Sequence, residues 1–143
     1  MRRVTLSAFV GMIAAMALAT TTSGAAFDPH FTVIGKFLSG EERNEAFHFK
    51  LRLLDELDHS DRVGGMRGVC AQQERKIRCR AIFHFNGEVG GRGDVVIKGN
   101  EGHGDQTFQV VDGSGDFAAV AGKMIIKPAP GPRKDRYQFH LVR

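Results

Sequence analysis

Six histidines, two cysteines and a scatter of carboxylates are the side chains of this 143-residue sequence best suited to acid–base, thiol or metal chemistry. Histidine titrates nearest neutrality and is the first candidate for proton transfer. His48, His84 and His140 each stand in a run where apolar and polar residues alternate, on the polar side of it. If the apolar side is the core, these three are surface residues; a polar lumen would reverse the assignment. His30, His59 and His103 fall at the ends of such runs or between them. No pair has the spacing of a zinc site, neither His-x-x-x-His nor Cys-x-x-Cys. Asp55, Glu56, Asp58 and Asp61 crowd around His59, but without the glycine-punctuated loop of an EF-hand, and they read as a solvated acidic loop. The segment from Gly99 to Asp105 reads as a turn or lid. Arg92-Gly93-Asp94 has no adhesion context around it. Gly113-Ser114-Gly115 lacks both the Gly-x-Ser-x-Gly spacing and the following helix of a hydrolase elbow, so Ser114 is a turn serine.

Cys70 and Cys79 are the only cysteines. A two-residue turn at Glu74-Arg75 pairs Gln73 with Lys76, and so Cys70 directly with Cys79, where facing cysteines can meet disulfide geometry. A bridge closing so short a loop stabilises by about 2–3 kcal/mol in the chain-entropy model. Two free thiols, one of them reactive, are the rival reading, because Glu-Arg is not the usual hairpin-turn pair.

The compartment bears on that choice. Arg2 and Arg3 precede a mostly apolar run from Val4 to Leu18, and small residues follow through Ala26. This is the layout of a secretory signal peptide, and the apolar run is shorter than the roughly 20 residues of a membrane span. Residues 1–26 are therefore expected to be a removable leader, residues 27–143 one exported domain with no stable membrane anchor, and the disulfide to suit an oxidising compartment. The formal charge of +4 includes Arg2 and Arg3, so the remainder carries +2, with both signs interleaved. No basic block or aromatic-plus-basic stripe marks a nucleic-acid binder.

Whatever chemistry these residues do, strands must position them. Phe47, Phe49, Leu51 and Leu53 share one face of a period-two run, against His48, Lys50 and Arg52. Phe31, Val33 and Phe37 repeat the pattern; so do Ala81, Phe83 and Phe85, and Tyr137, Phe139 and Leu141. Turn-rich stretches at Ser39–Asn44, Asp55–Asp61, Gln73–Lys76, Asn86-Gly87, Gly99–Gly104, Gly113–Asp116 and Pro128–Asp135 cut the chain into eight strands. Short connections favour antiparallel neighbours, and closing the sheet removes aggregation-prone edges. The expected fold is all-β, an eight-stranded antiparallel up-and-down β-barrel.

Two segments carry a resemblance. Asp112-Gly-Ser-Gly-Asp-Phe-Ala-Ala-Val-Ala-Gly122 is similar to the glycine-rich motif of the plant allene oxide cyclases and the dirigent proteins. Arg62-Val-Gly-Gly-Met-Arg-Gly-Val-Cys70 resembles the segment of the cyclases that leads through a glycine into a cysteine. The resemblance spans about Arg62 to Lys127 and implies the allene oxide cyclase-like barrel, in which Gly113 and Gly115 turn a corner, Phe117 folds in as a plug, and Gly122 lets a strand pass close. It also implies association into oligomers. Ser39-Gly-Glu-Glu-Arg-Asn-Glu45 lacks the proline of the cyclases' substrate-shaping segment, and Tyr137 matches no dirigent cavity position, so neither family's active residues carry over.

Barrels of this kind work by shape, holding a reactive, mostly apolar molecule in one conformation. Two functions fit, the first slightly favoured: a non-catalytic barrel that carries a lipophilic small molecule or interacts with a partner, and a cofactor-independent cyclase/isomerase or dirigent-type protein that guides ring closure. Phe47, Phe49, Phe83 and Phe85 are the candidate pocket lining. An open lumen with an inward polar side chain separates the second from the first, since barrels of eight strands can also be filled by side chains.

Overall fold

The computed structural model describes residues 27–102 and 106–143. The expected leader, residues 1–26, and His103 lie outside the described residues. Eight strands follow in order: β1 (His30–Arg43), β2 (Ala46–Asp55), β3 (Arg62–Gln73), β4 (Lys76–Asn86), β5 (Arg92–Glu101), β6 (Gln106–Gly113), β7 (Ala121–Pro128) and β8 (Lys134–Val142). Each pairs antiparallel with the next, and β8 returns to β1 through His30↔His140 to Lys36↔Lys134, closing the barrel.

The period-two pattern sets which side chains enter. Leu51, Leu53, Ala81, Phe83, Phe85, Val95, Ile97, Phe108, Val110, Met124, Tyr137, Phe139 and Leu141 are all buried in one cluster inside the barrel. His84, Lys50, Arg52, Arg67 and Arg80 alternate with them on the outside and are exposed. Register shifts interrupt the regular pairing in β1–β2, β2–β3 and β5–β6. Between Phe37 and Ser39 the β1–β2 register shifts, which throws Leu38 outward. It is about half exposed (48%).

The first break falls later than the turn-rich composition suggests. Ser39–Arg43 continue β1 as far as Arg43↔Ala46, and the turn is Asn44-Glu45. Both turn residues take positive φ, 53° and 61°, as a primed two-residue hairpin requires. The residues Gly40–Arg43 are polar or small because this hairpin projects past the packed core and is solvated, not because the strand has ended. Likewise β5 continues through Gly99 to Glu101. At the next hairpin Gln73 pairs with Lys76 and Cys70 with Cys79, and the two cysteines form a disulfide. Glu74 accepts the positive φ (57°) there.

One end of the barrel is stoppered. Between β6 and β7 a 3₁₀ turn over Gly115–Phe117 drives the Phe117 ring into the core, fully buried. A side chain at Gly113 would strike the Phe117 carbonyl, and Gly115 has φ of 61° with the Arg92 carbonyl against it, so both glycines are required by the turn. The Phe117 ring packs tilted against Phe85 at 5.4 Å and Phe31 at 6.0 Å between centroids. Phe27 lies edge-on above it at 6.1 Å, and the Arg143 guanidinium sits 4.0 Å over the Phe27 ring. Asp116 accepts the Arg92 N–H at 2.8 Å, which ties the turn to β5. At Gly122, φ is 124° and the His140 carbonyl of β8 passes against the backbone.

Candidate functional site

Below the stopper an aromatic column runs along the barrel axis. Phe31 stacks on Phe139 (4.8 Å between centroids), Phe139 meets Phe83 edge-on (5.1 Å), and Phe83 meets Tyr137 edge-on (5.5 Å). The column ends at Tyr137. Beyond it the lumen opens as a cavity of about 810 Å³ that reaches solvent at the other end of the barrel. That volume suits a drug-sized molecule. The barrel is thus half filled and half open, which decides between the two lumens that the sequence left standing.

The wall is mainly apolar. Phe37 comes from β1, Phe49 and Leu51 from β2, Met66 from β3, Ala81 and Phe83 from β4, Ile97 from β5, Phe108 from β6, and Met124 and Ile126 from β7. The Cys70–Cys79 disulfide forms part of it. Where β2 and β3 pair as Phe49↔Gly68, the Phe49 ring occupies the space a Gly68 side chain would need. The rim carries Glu42, Glu45, Glu101 and Asp135 against Arg133 and Lys134. A flat anion entering this mouth meets more carboxylates than cations.

Tyr137 and Asp135 line the cavity from β8, two residues apart and so on the same face. Burial, reinforced by the Asp135 carboxylate, holds the Tyr137 phenol well above its ordinary value. The hydroxyl is therefore neutral across the physiological range and offers a hydrogen-bond donor in an apolar chamber. Partial burial raises the Asp135 carboxyl as well, since removing solvent disfavours the charged form.

Of the candidate lining residues, Phe47, Phe49 and Phe83 face this cavity, Phe47 at its partly exposed lip. Phe85 does not: it is packed into the stoppered end between Phe31, Phe117 and Phe139. The four rings look equivalent in sequence, and only distance along the barrel axis separates them. Nothing in residue order marks Tyr137 as the cavity floor; its alternation with Phe139 and Leu141 places it inside without saying at which depth.

Among the described residues the histidines lie outside the lumen. His84 is exposed and 2.5 Å from Asp94, and His30 and His140 face one another across β1 and β8 at 5.4 Å. Asp94 belongs to Arg92-Gly93-Asp94, which is part of β5 and not a presented loop. The Ser114 hydroxyl accepts the Asp94 N–H at 3.1 Å. In the acidic loop, Asp55 accepts the Leu57 and Asp58 N–H groups and Asp58 accepts from Ser60. The Ser60 hydroxyl and N–H hold the Asp58 carboxyl below its ordinary value. Among the described residues the one grouping of potential metal ligands is Cys70, Cys79 and Glu101, and both sulfurs there are committed to the disulfide.

Solved structures share this barrel. A pyocyanin demethylase superposes with a TM-score of 0.63 over 79% of this chain and 99% of its own, at 16% identity. The pterocarpan synthase dirigent protein GePTS1 does so with a TM-score of 0.54 over 79% of this chain and 90% of its own, at 11% identity. At these identities the likeness is one of fold, and the dirigent side of the sequence resemblance has its counterpart there. No protein-family model and no curated protein sequence matches the chain.

Proposed function

We infer that this barrel binds a small, flat, largely apolar molecule in the open half of its lumen. The observation that carries the reading is the cavity of about 810 Å³ floored by Tyr137 and walled by phenylalanine, methionine and isoleucine. Apolar walls with few polar groups are the usual make-up of a small-molecule site. The acidic bias of the rim favours a neutral or cationic ligand over a fatty carboxylate. The two structural neighbours are named for pyocyanin and for pterocarpan synthesis, both fused-ring aromatic compounds, and a ligand of that shape matches the stacked aromatic walls. The leader-like sequence at residues 1–26 and the disulfide support an exported protein.

A second reading, guidance of a ring closure or isomerisation, is favoured by one feature. Tyr137 places a neutral hydroxyl inside the chamber beside the Asp135 carboxyl. A donor fixed in an apolar site stabilises developing negative charge on a substrate oxygen more strongly than water does, and needs no cofactor. Binding and guidance share the same site, and turnover is what separates them.

The sole tyrosine is also the reporter, because the chain has no tryptophan. Titrating the oxidised protein with Nile red, a neutral apolar dye, should give saturable enhancement with quenching of Tyr137 emission, and phenazine should displace the dye better than oleate does. Absence of saturable dye binding would overturn the reading.

A further inference from the structure

The barrel's outer wall carries a second feature that the sequence conceals. Lysine and arginine are spread over four strands, but strand register gathers them on one face. His48 of β2, Val69 of β3, Arg80 of β4 and Lys98 of β5 lie in one cross-strand row, and Lys50, Arg67 and Ile82 form the next. Lys50, Arg67, Arg80 and Lys98 are all exposed. The ion pairs among the described residues are Arg43–Glu41, His84–Asp94 and Arg136–Glu56, and none neutralises these four cations. Between them runs an external groove of about 630 Å³ with Val69 and Ile82 on its floor and Lys50, Arg67 and Arg80 on its walls. Glu41, at the margin, is already engaged with Arg43 at 3.9 Å.

We propose that this groove is a binding site for an anionic polysaccharide whose carboxylates pair with Lys50, Arg67 and Arg80 along it and with Lys98 beside Arg80 on the next strand. Charge and spacing both point there. Adjacent strands stand about 4.8 Å apart, and Lys50, Arg67, Arg80 and Lys98 come one from each of four consecutive strands, so a chain crossing the strands meets a run of cations and not a single charge. The aliphatic floor suits the apolar face of a pyranose. Single-stranded nucleic acid is disfavoured because such sites supply successive aromatic platforms for base stacking, whereas the one ring in the rows is the His48 imidazole. A lipid surface is disfavoured because Val69 and Ile82 are only partly exposed and offer a bilayer little apolar area to bury.

The test uses the full oxidised chain and sodium alginate as the probe, with neutral dextran, oligo(dT) and phosphatidylglycerol vesicles as the other arms. Alginate should bind at low salt, and raising the salt from 50 to 200 mM should weaken it at least tenfold, as expected when several cations release counterions. Replacing Lys50→Gln, Arg67→Gln and Arg80→Gln together should weaken alginate at least tenfold while leaving Nile red binding in the lumen unchanged, which also shows that the variant is folded. No alginate binding at 50 mM salt overturns the proposal, as does undiminished binding by the triple variant, or tighter binding to dextran, oligo(dT) or the vesicles. The lumen reading stands or falls separately, because none of these residues touches the cavity.

Discussion

Tyr137 joins the two halves of this molecule: its ring completes the aromatic column and lines the open cavity. Being the only tyrosine, it can be followed alone. Its phenol ordinarily titrates at 10.0, and burial moves it upward. The 295 nm absorbance of the folded protein should therefore stay flat as pH passes 10, and rise only when the barrel unfolds. The linkage has a definite sign. A raised folded-state value means stability is intact below pH 10 and falls as pH climbs through the range between the unfolded and folded values; Tyr137→Phe should remove that alkaline loss. The same substitution should weaken a hydrogen-bonding ligand by about 0.5–1.5 kcal/mol, read as a right shift in a phenazine titration, and leave Nile red nearly unaffected. Asp135 obeys the same sign at the other end of the scale. Its carboxyl is raised above 3.8 by partial burial, so stability is highest below that value and declines as pH rises through the folded-state value. Asp135→Asn should flatten this decline in denaturant melts run between pH 3 and 6.

At the scale of elements, two devices fix the barrel's two ends. The Gly113–Val120 link inserts Phe117 as a fully buried ring, and truncating a core phenylalanine costs about 3–5 kcal/mol. Phe117→Ala should lower the urea midpoint accordingly, and the loss would be felt at the stoppered end, far from the ligand space. The β3–β4 hairpin is closed by Cys70–Cys79, whose removal in a Cys70→Ser, Cys79→Ser protein should cost about 2–3 kcal/mol by the short-loop entropy. This bridge is also cavity wall. The double serine variant should therefore loosen Nile red binding under conditions where it is still folded, whereas Phe117→Ala should not. Equal effects of the two changes on dye affinity would show that the ends are not independent.

For the molecule as a whole, the division into a packed half and an open half predicts opposite responses to added volume. Ala81 lies on the cavity wall, so Ala81→Phe should grow into open space, abolish Nile red binding and leave the melting temperature within a few degrees. An insertion of similar size in the stoppered half, Val95→Phe, lands where the side chain is fully buried and should destabilise by about 1–3 kcal/mol. The outer wall is a third region. Its basic rows belong to no single strand, and their effect on partners is a property of the closed barrel.

How much of this was legible in the sequence follows from what is local. Alternation along a strand is a local property, so the inward faces of β2, β4 and β8, the pairing of Cys70 with Cys79 and the closed eight-stranded sheet could all be read from residue order. The plug at Phe117 was implied by the resemblance that the glycine-rich segment carries, and not by the spacing alone, which fits a plain hairpin turn as well. The limit of β1 was misplaced because polar composition marks a solvated hairpin as readily as a turn. Depth along the barrel axis is not local: it depends on strand stagger summed around the circuit, and so Phe85 and Phe83 parted company, one into the stopper and one onto the cavity wall. The same holds for Tyr137 at the floor, and for four cations separated by up to 48 positions that become neighbours on one face. Residue order determined which side of the sheet each side chain takes; closure of the barrel decided at what height it stands and beside whom, because only closure fixes the register of every strand against every other.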